Sequence, residues 1–460
     1  MGERVETGGN TFYCDIPTEV LTEILLRLPV KSLIRFTAVC KYLLELIRND
    51  PNFARRHCLT KARPSPSTLI DHVDHLVDYG MHGRKCRSTV PDEASKVCLY
   101  SFTEKRKLRL AKKIEFGPEV DVAVSNFHHG LMCVYVTFGR SFGSKVMICN
   151  PAIGEVVPLP LPPHHILNMS TLPTPALGFD PKKNDYKVVL FWPPSNFARS
   201  KYWEVDVFSV RDGRWHSLPT RGAMNKFHRF LCEPVLNANG SILNWFGSLD
   251  STDSKLAILA FDMADEVFQD VNMPNCLNPG KWRLHNIVTS SGCQANICCS
   301  SRPRFDPTKK EELNCADVWL LSKDDDQQLV WNKEFSFEFP DDLVVWPSNL
   351  WLNDNELFIY IGHHCIEEEL AVFNWVTGEV ARTRRLGDLS NPGGYAESLI
   401  SIKQIISTSC LQAAAAQDED EDKGSPACFM REVSGKKGKV RWSFNFKLCR
   451  KRVALVDALD

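Results

Sequence analysis

One unit of sequence recurs six times after residue 64: an apolar strand, a polar turn and a second strand. Equivalent positions in successive copies lie 49 to 60 residues apart, close to the ~50-residue period of some four-stranded propeller blades. Each copy leaves an apolar face that only a neighbouring copy can cover, so the copies must pack side by side. The equivalent positions are Val97, Val146, Val205, Ile258, Val318 and Val372.

A further pair of strands lies between the copies, in segments such as GLMCVYVTF and NANGSILNWFG, and would complete four strands per blade. The sequence therefore predicts an all-β, β-propeller-like domain of about six blades over residues 64–408. We expect a late strand near residues 397–402, Glu397 to Ile402, to close the ring by pairing with strands around residues 97–114.

The chain before the repeats has a helical pattern instead. Residues 15–60 contain no glycine, and Val20, Leu21, Ile24, Leu25 and Leu28 form one apolar stripe at helical spacing. This pattern predicts a small helical domain over residues 12–60, and hence an α+β multidomain protein. The predicted helices run from Pro17 to Leu28, from Ser32 to Thr37 and from Cys40 to Arg48, and a fourth opens with Asp50 and Pro51.

The chain after the repeats changes composition twice. Residues 409–427 are acidic and of low complexity, which predicts a linker. Residues 428–460 form a basic tail in which Lys and Arg alternate with Trp442, Phe444 and Phe446. Such a tail could bind nucleic acid or an importin, or could pack as one more strand. The alternation in VRWSFNF favours the strand.

Charge and hydropathy exclude several classes of partner. The 55 basic and 56 acidic residues nearly cancel, so no global field attracts nucleic acid or anionic lipid. The N-terminus has no apolar core of signal-peptide length, and no apolar run reaches the ~18 residues of a spanning helix. We expect a soluble protein of the cytoplasm and/or nucleus that binds no membrane. Its 17 cysteines are then free thiols.

The sequence has none of the familiar catalytic motifs, such as a phosphate-binding loop, a zinc helix or a nucleophile elbow. Its clusters of His, Cys and Asp lack the spacing of metal ligands and are better explained as turns or buried side chains. We therefore predict no catalytic residues, no cofactor and no metal. The clusters are Cys293, Cys298 and Cys299; His363, His364 and Cys365; Asp324 to Asp326; and the pairs His128–His129 and His164–His165.

The N-terminal segment resembles the F-box through the phrases IPTE from Ile16, RLPVKSLIRF from Arg27 and VCK from Val39. Leu43 departs from the tryptophan common in that family. Residues 120–403 resemble the F-box-associated, kelch-like domain of plant F-box proteins, through phrases such as GFDP and DYKVV between Gly178 and Val189.

The resemblance implies a substrate receptor that binds the Skp-type adaptor of a cullin ubiquitin ligase and holds an unknown protein substrate on the repeat domain. Two alternatives stay open: a propeller that binds glycans or hydrolyses a substrate in its central pocket, and an adaptor-bound scaffold that ubiquitinates nothing. The resemblance assigns the adaptor interface to Ile16, Pro17, Glu19, Ile24, Leu25, Leu28, Pro29, Leu33, Phe36 and Val39.

Overall fold

A computed structural model gives the three-dimensional structure of the chain. In the strands before residue 122 and after residue 273, most residues are described by their backbone alone. Among the described residues, no helix is long and apolar enough to cross a bilayer. The structure describes residues 16–60, 68–73, 96–102, 108–115, 120–138, 144–166, 172–194, 202–220, 222, 224–230, 235–237, 240–252, 255–273, 282–288, 295–301, 315–323, 329–338, 344–353, 356–363, 367–385, 393–406, 427–434 and 440–447.

Four helices follow one another in residues 16–60, as the sequence predicts. Asp50 caps the fourth helix, because its Oδ1 accepts a hydrogen bond from the backbone N–H of Asn52 at 2.9 Å. The helices are α1 Thr18–Leu26, α2 Val30–Phe36, α3 Lys41–Leu44, which continues as a π-helical turn Glu45–Asn49, and α4 Pro51–Thr60.

The second helix begins two residues earlier than predicted, at Val30 rather than Ser32. Pro29 is already its N-cap residue, with an extended backbone at φ −61° and ψ 147°. A proline disfavours helical backbone in the residue before it, so α1 must also end early, and it ends at Leu26. We call residues 16–60 the helical module.

The described strands of the repeats form six sheets, the number predicted, and we number them blades 1 to 6 along the chain. Blade 1 contains β1 Thr68–Val73, β2 Lys96–Phe102 and β3 Leu108–Glu115. Blade 2 contains β4 Val120–Val124, β5 Met132–Phe138, β6 Ser144–Asn150 and β7 Glu155–Leu159. Blade 3 contains β8 Thr174–Asp180, β9 Asp185–Trp192, β10 Glu204–Ser209 and β11 Arg214–Leu218.

Blade 4 contains β12 Arg229–Phe230, β13 Val235–Leu236, β14 Ile242–Ser248, β15 Leu256–Asp262 and β16 Val267–Asn272. Blade 5 contains β17 Trp282–Val288, β18 Ala295–Ser301, β19 Cys315–Lys323 and β20 Leu329–Glu338. Blade 6 contains β21 Val344–Asn353, β22 Glu356–His363, β23 Glu367–Asn374 and β24 Glu379–Arg385. After blade 6 the chain continues with β25 Gly393–Gly394, α5 Ile402–Ile405, β26 Ala427–Ser434 and β27 Val440–Lys447.

The six sequence copies correspond to the same two strands of every blade. Each copy is the hairpin formed by the last two strands of its blade, as in β6–β7 and β10–β11. The equivalent positions that define the period all lie in the first strand of this hairpin, from Val97 in β2 to Val372 in β23. The blade period predicted from the sequence is therefore confirmed.

A late strand joins blade 1, but the residues and the pairing predicted for it were wrong. The strand is β25, and its two glycines pair antiparallel with Leu69 and Ile70 of β1. Residues 397–402 form no strand; Glu397 to Ser401 have no regular structure and Ile402 begins α5. The sequence misplaced the strand because glycines carry no side-chain alternation from which a strand can be read.

The last two described strands extend blade 1. β26 and β27 form an antiparallel hairpin, and β27 runs parallel to β3 from Val440 to Ser443. The prediction that the basic tail packs as one more strand thus agrees with the backbone of β27. The predicted domain limits near residues 64 and 408 lie outside the described residues, as does the predicted linker 409–427 except for Ala427, which begins β26, so these limits stay predictions.

One apolar core joins the helical module to blades 2 and 3. Leu25, Leu33 and Phe53 of the module belong to the same buried cluster as Tyr135 of β5 and Trp192 of β9. A module of ~45 residues buries too little apolar surface to be stable alone. Here its inner face is completed by the repeat domain of the same chain.

A buried ion network joins blade 3 to blade 4. Lys187 of β9 has only 1% of its side chain exposed, and its Nζ lies 3.0 Å from Asp180 Oδ2. Nζ also donates to Glu266 Oε1 at 2.7 Å and to the carbonyl of Met263 at 2.6 Å. Burial acts to lower the pKa of Lys187, but the two carboxylates outweigh burial and raise that pKa. The ammonium therefore stays charged and holds the two blades together.

A buried carboxylate, Asp206, organises the outer part of blade 3. It accepts hydrogen bonds from Trp192 Nε1 at 3.0 Å and from Ser217 Oγ at 2.7 Å. Its Oδ1 lies 2.7 Å from His164 Nδ1, and Glu204 lies 3.5 Å from the other ring nitrogen. The hydrogen bond to Asp206 raises the pKa of His164 against the opposing effect of burial.

This histidine makes stability depend on pH. A raised folded-state pKa means that the stabilisation by protonated His164 is fully present below the unfolded pKa of about 6.5 and is lost as pH rises through the folded pKa. We expect the unfolding midpoint of wild type to exceed that of His164→Gln by more at about pH 5.5 than at about pH 8.5. Thermal unfolding at both pH values measures the two differences. Equal differences would show that His164 contributes no titrating interaction.

Candidate functional site

The ten residues assigned to the adaptor interface occupy three environments in the helical module. Leu25 and Leu33 are buried, with 3% and 0% exposure, and so hold the module together. Leu28 is half-buried against the same core. The structure does not test an adaptor contact for any of the ten. The exposed members are Ile16, Pro17, Glu19, Ile24, Pro29, Phe36 and Val39.

Large apolar side chains are exposed along α1 and at the C-terminal ends of α2 and α3. On α1, Val20 and Ile24 lie one turn apart and are 48% and 46% exposed, while Leu25 and Leu26 on the opposite face are buried. Both faces of α1 are therefore apolar, and the described part of the chain covers only one of them. We call the exposed set the apolar surface: Ile16, Val20, Ile24, Phe36, Val39 and Leu44.

Val20 and Leu44 belong to this surface but were not among the residues assigned from the sequence. Val20 was placed in the apolar stripe of α1, and the helical period alone could have put it on the same face as Ile24. Leu44 carries no such signal, because α3 is too short to show a period. An exposed apolar cluster on a small module is typical of a protein–protein interface.

The stretch of chain that carries the apolar surface also carries exposed cations, which we call the basic rim. The chain between Glu23 and Glu45 carries four cations and no carboxylate. All four side chains are exposed, so they can meet a partner's carboxylates without a change in the module's own packing. This charge distribution fits a partner whose contact surface is apolar with an acidic border. The cations are Arg27, Lys31, Arg35 and Lys41.

The fourth helix fixes the module to the repeat domain. The guanidinium of Arg55 lies 5.7 Å from the ring centroid of Phe179 in β8. Arg56 donates to Glu23 at 2.5 Å, which ties α4 to α1. The ring of His57 is buried and one of its nitrogens lies 2.8 Å from the carbonyl oxygen of Leu28. The module that carries the apolar surface is therefore held against the repeat domain by its α4 side.

The surface of the repeat domain on which α4 packs, which we call the seat of α4, is aromatic and uncharged. His128 and His129 lie in the turn after β4, with ring centroids 3.8 Å apart, and His129 Nδ1 lies 2.8 Å from the Tyr186 hydroxyl. Burial, and then the neighbouring His129, hold the pKa of His128 well below its ordinary value. Burial, and then the charge of Arg55, lower the pKa of His129 to about 4. Both rings are neutral near pH 7 and pack as aromatic groups.

The remaining sequence candidates show no reactive or metal-binding geometry where they are described. His164 bonds to Asp206, and no group of three or more His, Cys, Asp or Glu side chains among the described residues is placed to hold a metal ion. Cys40, Cys58 and Cys133, whose side chains are described, are free thiols. Burial raises the pKa of Cys58 to about 11, so it is not a thiolate. Cys293, His364, Cys365 and Asp324 to Asp326 lie outside the described residues.

Comparison with known proteins finds relatives for both parts of the chain. Residues 13–60 match an F-box-like family model, and residues 89–358 match the model of the F-box associated β-propeller domain. An F-box/kelch-repeat protein of Arabidopsis thaliana is 25% identical over 74% of this chain and 83% of its own length. A putative F-box protein of the same plant is 25% identical over 85% of this chain and its whole length.

Among solved structures, the similarity is weaker. TolB from Acinetobacter baumannii overlaps 71% of this chain and 66% of its own chain, with a TM-score of 0.40 and 9% identity. A TM-score this low supports no inference about function.

Proposed function

This chain belongs to the family defined by the F-box associated β-propeller domain, and on that premise we propose that it is a substrate receptor of an Skp–cullin–F-box ubiquitin ligase. An F-box joined to this propeller, in a relative of plant F-box proteins, supports a substrate-receptor role. In our proposal the helical module binds the Skp-type adaptor, and through it the cullin. The propeller holds a protein to be ubiquitinated.

The apolar surface with its basic rim is the observation that carries the adaptor proposal. Ile24 and Phe36 are exposed although large and apolar, whereas the opposite face of the module is already packed on blades 2 and 3. A partner that covers these side chains would remove apolar area from water. Titration calorimetry of the purified chain with a plant Skp-type adaptor tests this proposal directly. We expect one adaptor per chain; absence of measurable heat or binding would contradict it.

The basic rim should make adaptor binding depend on salt. We expect Lys31→Glu combined with Arg35→Glu to weaken the complex about tenfold at low ionic strength, and the loss to shrink in concentrated salt, where exposed charges are screened. Calorimetry at two salt concentrations measures both effects.

A matched control reverses the same number of charges on the propeller, with Arg214→Glu and Lys255→Glu, both of which are exposed. Its adaptor affinity should equal that of wild type. An equal loss in the control, or a loss that does not change with salt, would contradict a role for the basic rim.

Catalysis in this proposal lies outside the chain. The family and its relatives suggest a non-catalytic adaptor. The receptor's contribution is to hold a substrate lysine near the activated ubiquitin, which raises the local concentration of an otherwise slow encounter. The chain needs a stable geometry between its two binding surfaces more than it needs a reactive side chain.

We place substrate binding at the end of the blades opposite the helical module. Arg55 of the module lies beside His129 in the turn after β4 and 5.7 Å from the ring of Phe179 near the end of β8, so the module contacts the end of the blades where the first strand turns into the second. In an antiparallel blade these turns share one end, so the connections between the second and third strands lie at the other. There Tyr202 and Leu249 are 59% and 38% exposed. Substitution of both by Asp should reduce substrate capture without reducing adaptor binding.

We also propose that the receptor works in the cytoplasm and/or the nucleus. The basis is the function itself, because the proposed ligase acts on proteins of those compartments. Microscopy of a fluorescent fusion in plant cells would test the assignment, and signal confined to the secretory pathway would contradict it.

A further inference from the structure

The segment that follows the closing strand lies between the propeller and the helical module. Residues 395–406, which we call the closing segment, run directly on from β25. Tyr395 is buried and its ring meets Phe127 edge-on at 5.1 Å. The segment's other buried apolar residues enter the core cluster that also contains Leu33 and Phe53 of the module. They are Leu399, Ile400, Ile402 and Ile406.

Asn150, at the end of β6 in blade 2, holds the middle of the closing segment. Its side chain is buried, and Nδ2 donates to the carbonyl oxygens of Ser398 at 3.0 Å and Ile400 at 2.8 Å. Its Oδ1 accepts from the backbone N–H of Ala152 at 2.9 Å, which shapes the turn. One side chain therefore ties a turn of blade 2 to a segment about 250 residues away in sequence.

Glu155, the first residue of β7, holds the end of the closing segment. Its Oε2 accepts from Ser401 Oγ at 2.6 Å, and its Oε1 accepts from the backbone N–H groups of Ile402 at 2.6 Å and Lys403 at 3.2 Å. These two N–H groups open α5, so the carboxylate fixes where the short helix begins. Asn150 and Glu155 lie at the two ends of one turn of blade 2.

The closing segment in turn contacts the helical module. Ser398 hydrogen-bonds with the thiol of Cys58 in α4. Gln404 donates from Nε2 to the carbonyl oxygen of Arg48 in the π-helical turn. The fit is close, because a Cβ added to Gly130 beside the seat of α4 would lie 2.6 Å from Ser398 Cβ. The segment thus bonds to the propeller on one side and to the module on the other.

Blade 6 contains a turn of the same sequence, but in the described contacts this turn does not hold a second segment of chain. Both turns read Asn-x-x-x-Gly-Glu-Val, from Asn150 to Val156 and from Asn374 to Val380. Asn374 Oδ1 accepts from the N–H groups of Val376 and Thr377, both at 3.0 Å, which is the turn-shaping role alone. Glu379 is exposed. The turn sequence therefore does not by itself require the contacts that Asn150 and Glu155 make in blade 2.

We propose that Asn150 and Glu155 are positioning residues, which lock the closing segment so that it clamps the helical module to the propeller. The closing segment starts where β25 ends, so one continuous stretch of chain both pairs with β1 and forms the clamp. The inference goes beyond the proposed receptor function, because the clamp exists whether or not an adaptor binds.

Hydrogen exchange of the full chain, without adaptor, measures the clamp. In Glu155→Ala we expect amides of α4 and of the closing segment to exchange about tenfold faster or more, since a carboxylate that satisfies three donors is gone. Amides of β9 and β23 should exchange as in wild type. Asn150→Ala should act in the same direction, and Glu155→Gln should have a smaller effect, because its amide oxygen can still accept from Ile402.

The matched controls are Glu379→Ala and Asn374→Ala in the equivalent turn of blade 6. Both should leave α4 protection unchanged, although Asn374→Ala should loosen its own turn. Unchanged α4 protection in Glu155→Ala would overturn the proposal, and so would an equal loss of protection throughout β9 and β23, which would show a general structural role. The exchange is measured without adaptor, so its outcome does not depend on whether the receptor proposal is right.

Discussion

We expect Ile24→Asp to abolish measurable binding of the Skp-type adaptor and to leave the unfolding midpoint of the chain at its wild-type value. Ile24 belongs to the apolar surface and is 46% exposed, so a carboxylate there costs little in the free protein. In a complex the same carboxylate is buried without a partner, which costs roughly 3–5 kcal/mol. Because each ~1.4 kcal/mol is tenfold in affinity, the expected loss is at least ~100-fold.

Two neighbouring substitutions separate binding from folding. Leu25 is the next residue on α1 but is 3% exposed, so Leu25→Asp should unfold the helical module rather than block a competent surface. Leu59 on α4 is 54% exposed and lies outside the apolar surface, so Leu59→Asp should bind adaptor as wild type does. Calorimetry with thermal unfolding measures all three. Wild-type affinity in Ile24→Asp, or an equal loss in Leu59→Asp, would show that the interface lies elsewhere.

Leu28, another of the ten residues assigned to the adaptor interface, makes a less informative test. Its side chain is half-buried against the common core, and its carbonyl oxygen lies 2.8 Å from a ring nitrogen of His57. Leu28→Asp would therefore disturb packing and surface together. The adaptor contact assigned to Leu28 stays a prediction, and Ile24 isolates the interface better.

The second large effect is on stability: Lys187→Met should destabilise the propeller by roughly 3–5 kcal/mol. The substitution removes the ammonium that lies 3.0 Å from Asp180 Oδ2 and bonds to Glu266, and so leaves a fully buried carboxylate without its cation. The hydrogen bonds that Asp180 receives from the backbone of Lys182 and Lys183 remain, but they do not neutralise its charge. Urea unfolding followed by tryptophan fluorescence measures the change.

Two further variants test the mechanism. Asp180→Asn combined with Lys187→Met should recover part of the lost stability, because the uncompensated charge is then absent. Lys182→Met serves as the matched control, because Lys182 is paired with Asp265 but 63% of its side chain is exposed; its midpoint should hardly move. If Lys187→Met unfolded like the control, the buried network would not be holding blades 3 and 4 together.

Much of the architecture could be predicted from local sequence patterns. The period of the hairpin from Val97 to Val372 predicted six blades, because every blade repeats the same buried strand and turn. The helical stripe of α1 predicted an apolar helix, and the proline at position 29 predicted its end approximately. These features depend on residues close together in the chain, which is where sequence patterns are informative.

The features that join distant parts of the chain could not be predicted in this way. The closing strand consists of Gly393 and Gly394, which show no pattern. The docking of α4 on Phe179 depends on contacts between residues more than a hundred positions apart. For the same reason the sequence did not separate the two apolar faces of α1: Leu25 was assigned to the interface but packs inward, and Val20 was not assigned although it faces outward.

Affinity purification of the intact chain from plant cells, beside its Ile24→Asp variant, tests the receptor proposal most directly. Mass spectrometry should find the Skp-type adaptor and a cullin with wild type, and neither with the variant. Partners of the propeller should remain with both and should increase with wild type when the proteasome is inhibited. Recovery of adaptor and cullin at equal levels with wild type and variant, or their absence from both, would contradict the proposed function.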